Sequence, residues 1–526
     1  MEEDESTASV FKQFSTQFLH GMSVRMRETY SRTQLDEFLK ERFVFFQEAT
    51  RRSGMVRVKS HQLSTESQQQ ESRYNCHVIV EISAPDAPFI VVTVEALMRK
   101  MELLIHRKLH PIMGVVLSAE KEIEAVIYPE EKMDKFDHLY LEIEADTDIV
   151  FLKRLETLIA GHMLAVQLVR NHRQKMLQSL ASMQTEIESV TVVSADTKGE
   201  WSKLCGWLNL DNFTVMGFIS FLQSDSDSAD FIKTVENSGH GILAAEYIEK
   251  TSNILLNVLT AHLWKRRHSD FPFALDRVNF PSPVLRFENL MVLSLRIPDA
   301  ILGMVEHVFL GLLRGSSLNV KNTETPLIHQ KMRYIFENRN MLQNSYDYNE
   351  VVRIFGATPK FELFRSSRKE LIQICDDLLS VNNPNNIHCF QIDTRNSGIL
   401  KLMVVMPTSL LNEEAIEQMA DFFKAKIPHQ NCEWFEARGS EKSRLHFEFE
   451  LHEDLQGNSD LPSFDLLLLE GEISVLIKPW ETQLRELLRN QYPGEEGAQL
   501  YERYVPLMPS HYRARVDTLE ALENIQ

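Results

Sequence analysis

Residues 74–117 read YNCHVIVEIS-APDAPF-IVVTVEALMRKM-ELLIHRKLHPIMGVVL. The apolar run His77–Ile82 ends in a turn-forming loop, Ala84-Pro-Asp-Ala-Pro88. Val94, Leu97, Met98 and Met101 then recur at i, i+3, i+4 and i+7, which is one face of a helix. A second apolar run, Leu103–Leu117, follows. Further on, Leu139, Leu141 and Ile143 alternate with His138, Tyr140, Glu142 and Glu144, the pattern of a half-buried strand. Asp146-Thr-Asp148 is placed to cap a long helix over 148–190. The order β-α-β-β-α predicts a small ferredoxin-like sheet with helices on one face, so the fold class is α+β.

Outward from this stretch, 526 residues exceed what one core serves and imply several domains. Charged residues make up 25% and hydrophobic residues 43%, as in an ordinary globular chain. The formal net charge of −19, from 75 acidic and 56 basic residues, argues against nucleic acid, which needs clustered cations. Basic runs such as Lys265-Arg-Arg267 are short. The cysteines Cys76, Cys205, Cys375, Cys389 and Cys432 are odd in number and never in Cys-x-x-Cys spacing. They predict neither a disulfide framework nor a zinc ribbon, and point to a reducing, cytoplasmic compartment. The acidic start, Met1-Glu-Glu-Asp-Glu5, is unlike a signal peptide. The longest apolar candidate, Ile149–Val169, is broken by Lys153, Arg154, Glu156 and His162, so no membrane association is expected.

The expected divisions are five. Residues 1–190 hold N-terminal helices, the first sheet domain and its exit helix, with a polar insertion at 60–73. Residues 191–281 form a second small α+β unit, including a helix at Trp201–Leu208 and a strand at Phe213–Leu222. Residues 282–383 form a mixed connecting unit with strands at Leu285–Ile297 and helices at Thr325–Glu337 and Ser367–Leu379. After the turn-rich Asn382–Asn386, residues 384–455 read β-β-α-β-β, a third sheet domain. Residues 456–526 are a helical segment.

Particular residues carry a resemblance beyond the pattern. Asp86-Ala-Pro88-Phe89, a helix, then Ile105-His106 and His110-Pro111 resemble the first ACT-like domain of the large-type NAD-dependent glutamate dehydrogenases. That family's helix begins with an acid-containing Leu-Val-Asp-Ser, where this chain has Ile90-Val91-Val92-Thr93. Trp207-Leu208 with Asp211-Asn-Phe213-Thr214 and Gly217-Phe218 is similar to a second family element. So are Phe309-Leu-Gly311-Leu312 with Pro326-Leu327 and Lys331, and Asn344-Ser-Tyr-Asp347 with Pro359-Lys-Phe-Glu362-Leu-Phe364. Trp480-Glu481, Gly494-Glu-Glu496, Tyr501, Arg503-Tyr504, Pro509 and Tyr512 resemble the block that precedes the family's dehydrogenase core. The resemblance therefore implies several ACT-like domains joined by helices, forming a non-catalytic regulatory and oligomerisation region. The full family enzyme converts L-glutamate and NAD to 2-oxoglutarate, ammonia and NADH. The implied partners are further copies of the chain, a separate catalytic dehydrogenase chain and an amino-acid effector. NAD is expected for the full-length enzyme and not in this chain. The alternative is a stand-alone amino-acid sensor or scaffold derived from that enzyme.

The expected effector site is the loop Asp86, Ala87, Pro88 and Phe89. It precedes a helix whose first N–H groups attract a carboxylate, and Asp86 is placed to pair with an α-ammonium. The competing reading makes Asp86 a capping or turn residue and Thr93 a packing residue. Gly239-His-Gly241-Ile-Leu-Ala244 fits a dinucleotide fingerprint in spacing but follows no buried strand, so an ordinary turn is expected. His106 and His110 have helical metal spacing on a segment that reads as strand, and His262 and His268 have no third ligand. No catalytic residue and no metal ligand are assigned.

Overall fold

The chain, as a computed structural model, is described at residues 2–61, 77–131, 133–223, 232–266, 271–299, 303–381, 383, 385–392, 399–451, 464–478, 480–513 and 515–525. It divides into two units, Met1–Leu318 and Asn319–Gln526. Cys76, most of the insertion at 60–73, and His268 lie outside the described residues.

The stretch quoted above builds the first sheet. Strand β1 (Met55–His61) pairs with β2 (His77–Pro85), and β2 pairs with β6 (Lys135–Glu144), all antiparallel. The expected apolar run at 103–117 is two strands, β3 (Leu104–Leu109) and β4 (Ile112–Leu117). Both lie against β6 on the same side, and the His138 N–H donates to the Pro111 carbonyl between them at 3.0 Å. Pro111 has no N–H to add to the ladder, so the strand breaks there. A further strand, β5 (Ile123–Ile127), closes the order β1-β2-β6-β4-β5.

The expected one-sided sheet is corrected. His138, Tyr140 and Glu142, read as the solvent face of β6, are buried, as are Leu139, Leu141 and Ile143 on the other face. Helices Glu2–His20 and Arg32–Arg51 cover the polar side, packing Phe14, Phe18, Phe43 and Phe46 against Ile79, Met113 and Tyr140. Ser31 starts the second of these helices with a reciprocal capping box to Gln34. The helix Ile149–Glu186 packs along β1, where Glu156 accepts from the Val58 N–H at 2.8 Å. Asp148 caps it as expected, accepting from Val150 and Phe151.

His138 sits among the rings of Phe14, Phe18, Phe45 and Phe46, with neither ring nitrogen hydrogen-bonded. Burial pushes its pKa down to about 4, against the upward pull of Glu81 and with the downward push of Arg42, Arg57 and His110. The unfolded imidazole titrates near ~6.5, so between these values the unfolded chain binds more protons. Stability of the first unit is thus expected to fall as pH drops from ~6.5 to ~4, by roughly 3 kcal/mol in total. Melting temperatures across this range should fall less steeply for His138→Leu than for the parent; equal slopes would refute the assignment.

The second sheet runs β10-β11-β12-β7-β8, with β9 on β7, from β7 (Phe213–Gln223), β8 (Ile232–Thr234), β9 (His240–Gly241), β10 (Phe273–Pro281), β11 (Asn289–Asp299) and β12 (Gly303–Leu313). The expected boundary at 281/282 therefore falls inside a sheet. Residues 282–288 form a connector between β10 and β11 instead of a strand. Thr93, expected only to pack, accepts a hydrogen bond from the Leu285 N–H at 2.9 Å, and His162 bonds the Pro283 carbonyl at 2.7 Å.

In the second unit, helices Ile328–Asn338, Tyr346–Ala357 and Arg368–Ser380 precede a four-stranded antiparallel sheet. Its order is β13 (His388–Ile392), β14 (Ile399–Pro407), β16 (Lys442–Glu450) and β15 (Asn431–Ala437). The helices Glu413–Lys426 and Leu466–Leu476 share its core through Met419, Phe423, Leu469 and Ile473. The second of these belongs to the sheet domain, not to the helical segment begun at 456. Helices Trp480–Gln491, Glu496–Tyr504 and Thr518–Ile525 form their own cluster around Leu484, Leu488 and Leu522. Among the described residues, no helix is long and apolar enough to cross a membrane.

Candidate functional site: the loop after β2

The loop Asp86–Phe89 joins β2 to the helix Ile90–Lys100. Its entry is fixed by the Asp86 N–H on the Lys135 carbonyl at 2.8 Å and by Gln167 on the Pro85 carbonyl at 2.8 Å. Its exit is Phe89, at φ 80 and ψ −2, in the left-handed region that a bulky residue seldom adopts. No side chain caps the helix, so the capping role considered for Asp86 is not the one it has. The first-turn N–H groups are left without a side-chain cap, and the positive end of the helix dipole lies at the loop.

The four loop residues part company. Asp86 lines a cavity of about 430 Å³ with Lys121, Lys135 and Arg170. Burial and the neighbouring Asp137 raise its pKa, while Lys135 and Arg170 pull it down. Asp137 is held in turn by His110 at 2.9 Å. Pro88 and Phe89 line a second cavity of about 250 Å³ beyond the helix Ile149–Glu186, and Arg170 lines both. Ala87 is buried. An α-ammonium held by Asp86 and a carboxylate at Phe89 would therefore lie in different cavities.

The second cavity gains residues from far along the chain. Arg173 comes from the long helix, Asp211 from the kinked segment Leu208–Asn212, Thr214 from β7 and Arg314 from the end of β12. Asp211 has φ 65 and pairs with Arg314, and lies 3.9 Å from Arg173. Thr214 is buried and its Oγ1 has no hydrogen-bond partner. Sequence reading quoted Asp211 and Thr214 only as part of a similarity block. Nothing in spacing linked them to Phe89 or to the two arginines.

The histidines and glycines have other partners. His106 turns to Glu144 at 3.2 Å and His110 to Asp137, separate carboxylates of β6. Gly241 has φ +65, and an added Cβ there would meet the Met216 carbonyl oxygen at 2.0 Å; at Gly239 it would meet the Leu243 oxygen at 2.2 Å. His172 accepts from the Gly241 N–H at 3.0 Å. This turn is packed against its own sheet, contains the two-residue strand β9 where a fingerprint needs a buried strand before it, and does not fit a pyrophosphate.

Residues 14–159, the first sheet with its flanking helices and the loop after β2, match the family model of the ACT1 domain of glutamate dehydrogenase. Residues 325–383 match helical motif 1 of the same enzyme. Among curated proteins, the NAD-specific glutamate dehydrogenase of Pseudomonas aeruginosa is 21% identical over 458 residues, and that of Halomonas elongata 18% over 469 residues. Each alignment covers 86% of this chain and 28% of the relative, so the chain spans just over a quarter of the length of the curated proteins it matches.

Proposed function

We propose that this chain serves as the regulatory and oligomerisation region of an NAD-dependent glutamate dehydrogenase, with an effector site at the loop after β2. The observation that carries this reading is the match to two modules of that enzyme, ACT1 and helical motif 1, in order along one chain. The reaction, oxidation of L-glutamate to 2-oxoglutarate and ammonia with NAD, takes place in a dehydrogenase part. The residues at 14–159 hold an effector and, by preferring one arrangement of the sheet domains, shift the assembly toward it. Such an effector acts only through a difference in affinity between two arrangements. This function places the chain in the cytoplasm, in association with further copies of itself and with the dehydrogenase part.

The test is affinity purification of the chain, tagged at its N-terminus, from its own cells. Glutamate-dependent NAD reduction is expected to co-purify, whereas the isolated 526-residue chain should reduce no NAD. Failure of the activity to co-purify, or NAD reduction by the isolated chain, would overturn the reading.

A further inference from the structure

We infer that the 250 Å³ cavity beside Phe89 binds a small dicarboxylate dianion, and that Asp211 is the internal carboxylate this ligand displaces. The inference rests on the effector-site reading of the loop and assigns that site its ligand chemistry.

Charge decides the class. Arg170, Arg173 and Arg314 line the cavity with one carboxylate, Asp211, which pairs with Arg314, lies 3.9 Å from Arg173 and is the sole acid among the lining residues. The positive end of the helix Ile90–Lys100 adds to the excess. A dianion balances this set. A zwitterionic monocarboxylic amino acid brings no net charge, so it leaves the excess of three lining arginines over one lining aspartate unbalanced. Asp86, the acid expected to take an α-ammonium, lines the other cavity. The volume accommodates a succinate- or glutarate-sized molecule and is below the range usual for larger ligands.

Thr214 is the independent sign that something polar is missing. A buried hydroxyl without a partner is costly, and most such groups are satisfied by protein, water or ligand. Its Oγ1 is hidden and unbonded at the cavity wall. A ligand carboxylate seated at this wall accepts from the arginines and, once the Thr214 side chain turns toward it, from the hydroxyl as well.

Asp211 occupies the place of the second carboxylate. It reaches Arg314 from a residue in left-handed conformation, within a segment whose neighbour Leu210 is largely exposed. When a diacid takes Arg173 and Arg314, the Asp211 contacts are released and the segment Leu208–Asn212 is free to re-form. Binding is thereby linked to the geometry between the long helix and β7.

Calorimetric titration of the chain with succinate, glutarate, L-glutamate and L-leucine tests the assignment. Saturable binding of the two diacids is expected, tighter than either amino acid. Arg314→Met should weaken it by about tenfold or more, the loss of one charge-assisted hydrogen bond. Asp211→Asn should tighten it by removing the competitor. Thr214→Val should weaken it while leaving the ligand-free melting temperature unchanged or raised, since its hydroxyl has no bond to lose. The inference is overturned if neither the parent nor Asp211→Asn binds a diacid, or if Arg314→Met and Thr214→Val bind as the parent does. Preference for L-glutamate over glutarate would overturn the dianion assignment while leaving the effector-site reading standing, because that reading is judged separately by the co-purifying activity.

Discussion

Arg42→Met is expected to destabilise the first unit by about 3–5 kcal/mol, the usual cost of removing one partner from a buried ion pair. Arg42 lies on the helix Arg32–Arg51 and is only 1% exposed; its Nε donates to Glu81, fully buried on β2, at 2.5 Å. Its Nη2 reaches Glu41 at 2.9 Å, and its guanidinium stacks over Phe38 and Tyr140 at 4.5 and 5.0 Å. Arg57 of β1 holds the other Glu81 oxygen at 2.9 Å. Burial alone would raise the Glu81 pKa, but Arg42, then His138 and Arg57, bring it below the ordinary carboxylate value. With Arg42 gone, Glu81 keeps Arg57 but loses its nearest partner in a dry layer. Calorimetric unfolding should show the lower transition, and Glu81→Leu added to Arg42→Met should recover much of the loss. An additive double variant would show that the pair is not coupled.

Lys331→Met is expected to cost the second unit about 2–4 kcal/mol, from stranded acceptors and not from lost packing. The Lys331 ammonium donates to the carbonyls of Leu363, Phe364 and Ser366 at 2.8, 2.6 and 2.7 Å. These are the last carbonyls of the short helix Lys360–Arg365 and the residue just after it, groups that have no partner within a helix of that length. One lysine side chain, whose burial lowers its pKa to about 7, thus closes a helix end that has no glycine to turn it. Methionine preserves the stem but offers no donor. Hydrogen exchange should locate the loss of protection at residues 360–367, and a parent-like exchange pattern there would refute the role.

Much of the local structure is legible in the chain because local rules are enough for it. The helix over Val94–Met101, the Asp148 cap and the strands after Asn386 each follow from periodicity or from a single side chain. The second face of the first sheet is different. His138, Tyr140 and Glu142 are polar in sequence, and polar alternation normally signals water. Here Phe14, Phe18, Phe38 and Phe46, some 90 to 130 residues earlier, cover that face, and Arg42 meets the buried charge of Glu81. Period-two patterning records polarity, not who supplies the partner. The boundary misplaced at 281/282 has the same origin. The turn after Pro281 resembles a linker, whereas β-pairing from 213 to 313 and the Thr93–Leu285 bond make it internal.

The loop after β2 shows the same division. Pro88 and Phe89 are found from the turn and the helix start. Asp211 and Arg314 reach them only because a kink and a strand end converge, and no spacing rule links residues more than 100 apart. Lys331 stood out only as a matched residue, with its three acceptors hidden in a segment 30 residues on.

The helix Ile149–Glu186 has 38 residues, a rod of about 57 Å at ~1.5 Å per residue. Along it sit Glu156 on β1, His162 on the Pro283 carbonyl, Arg170 and Arg173 on the cavity, and His172 on the turn at Gly241. An unbroken α-helix resists local bending, because each bend opens backbone hydrogen bonds. The two sheets of the first unit are therefore mechanically in series. Arg173 thus shares one continuous helix with the Glu156 contact to the Val58 amide of β1 and the His172 contact to the Gly241 amide of the β9 turn.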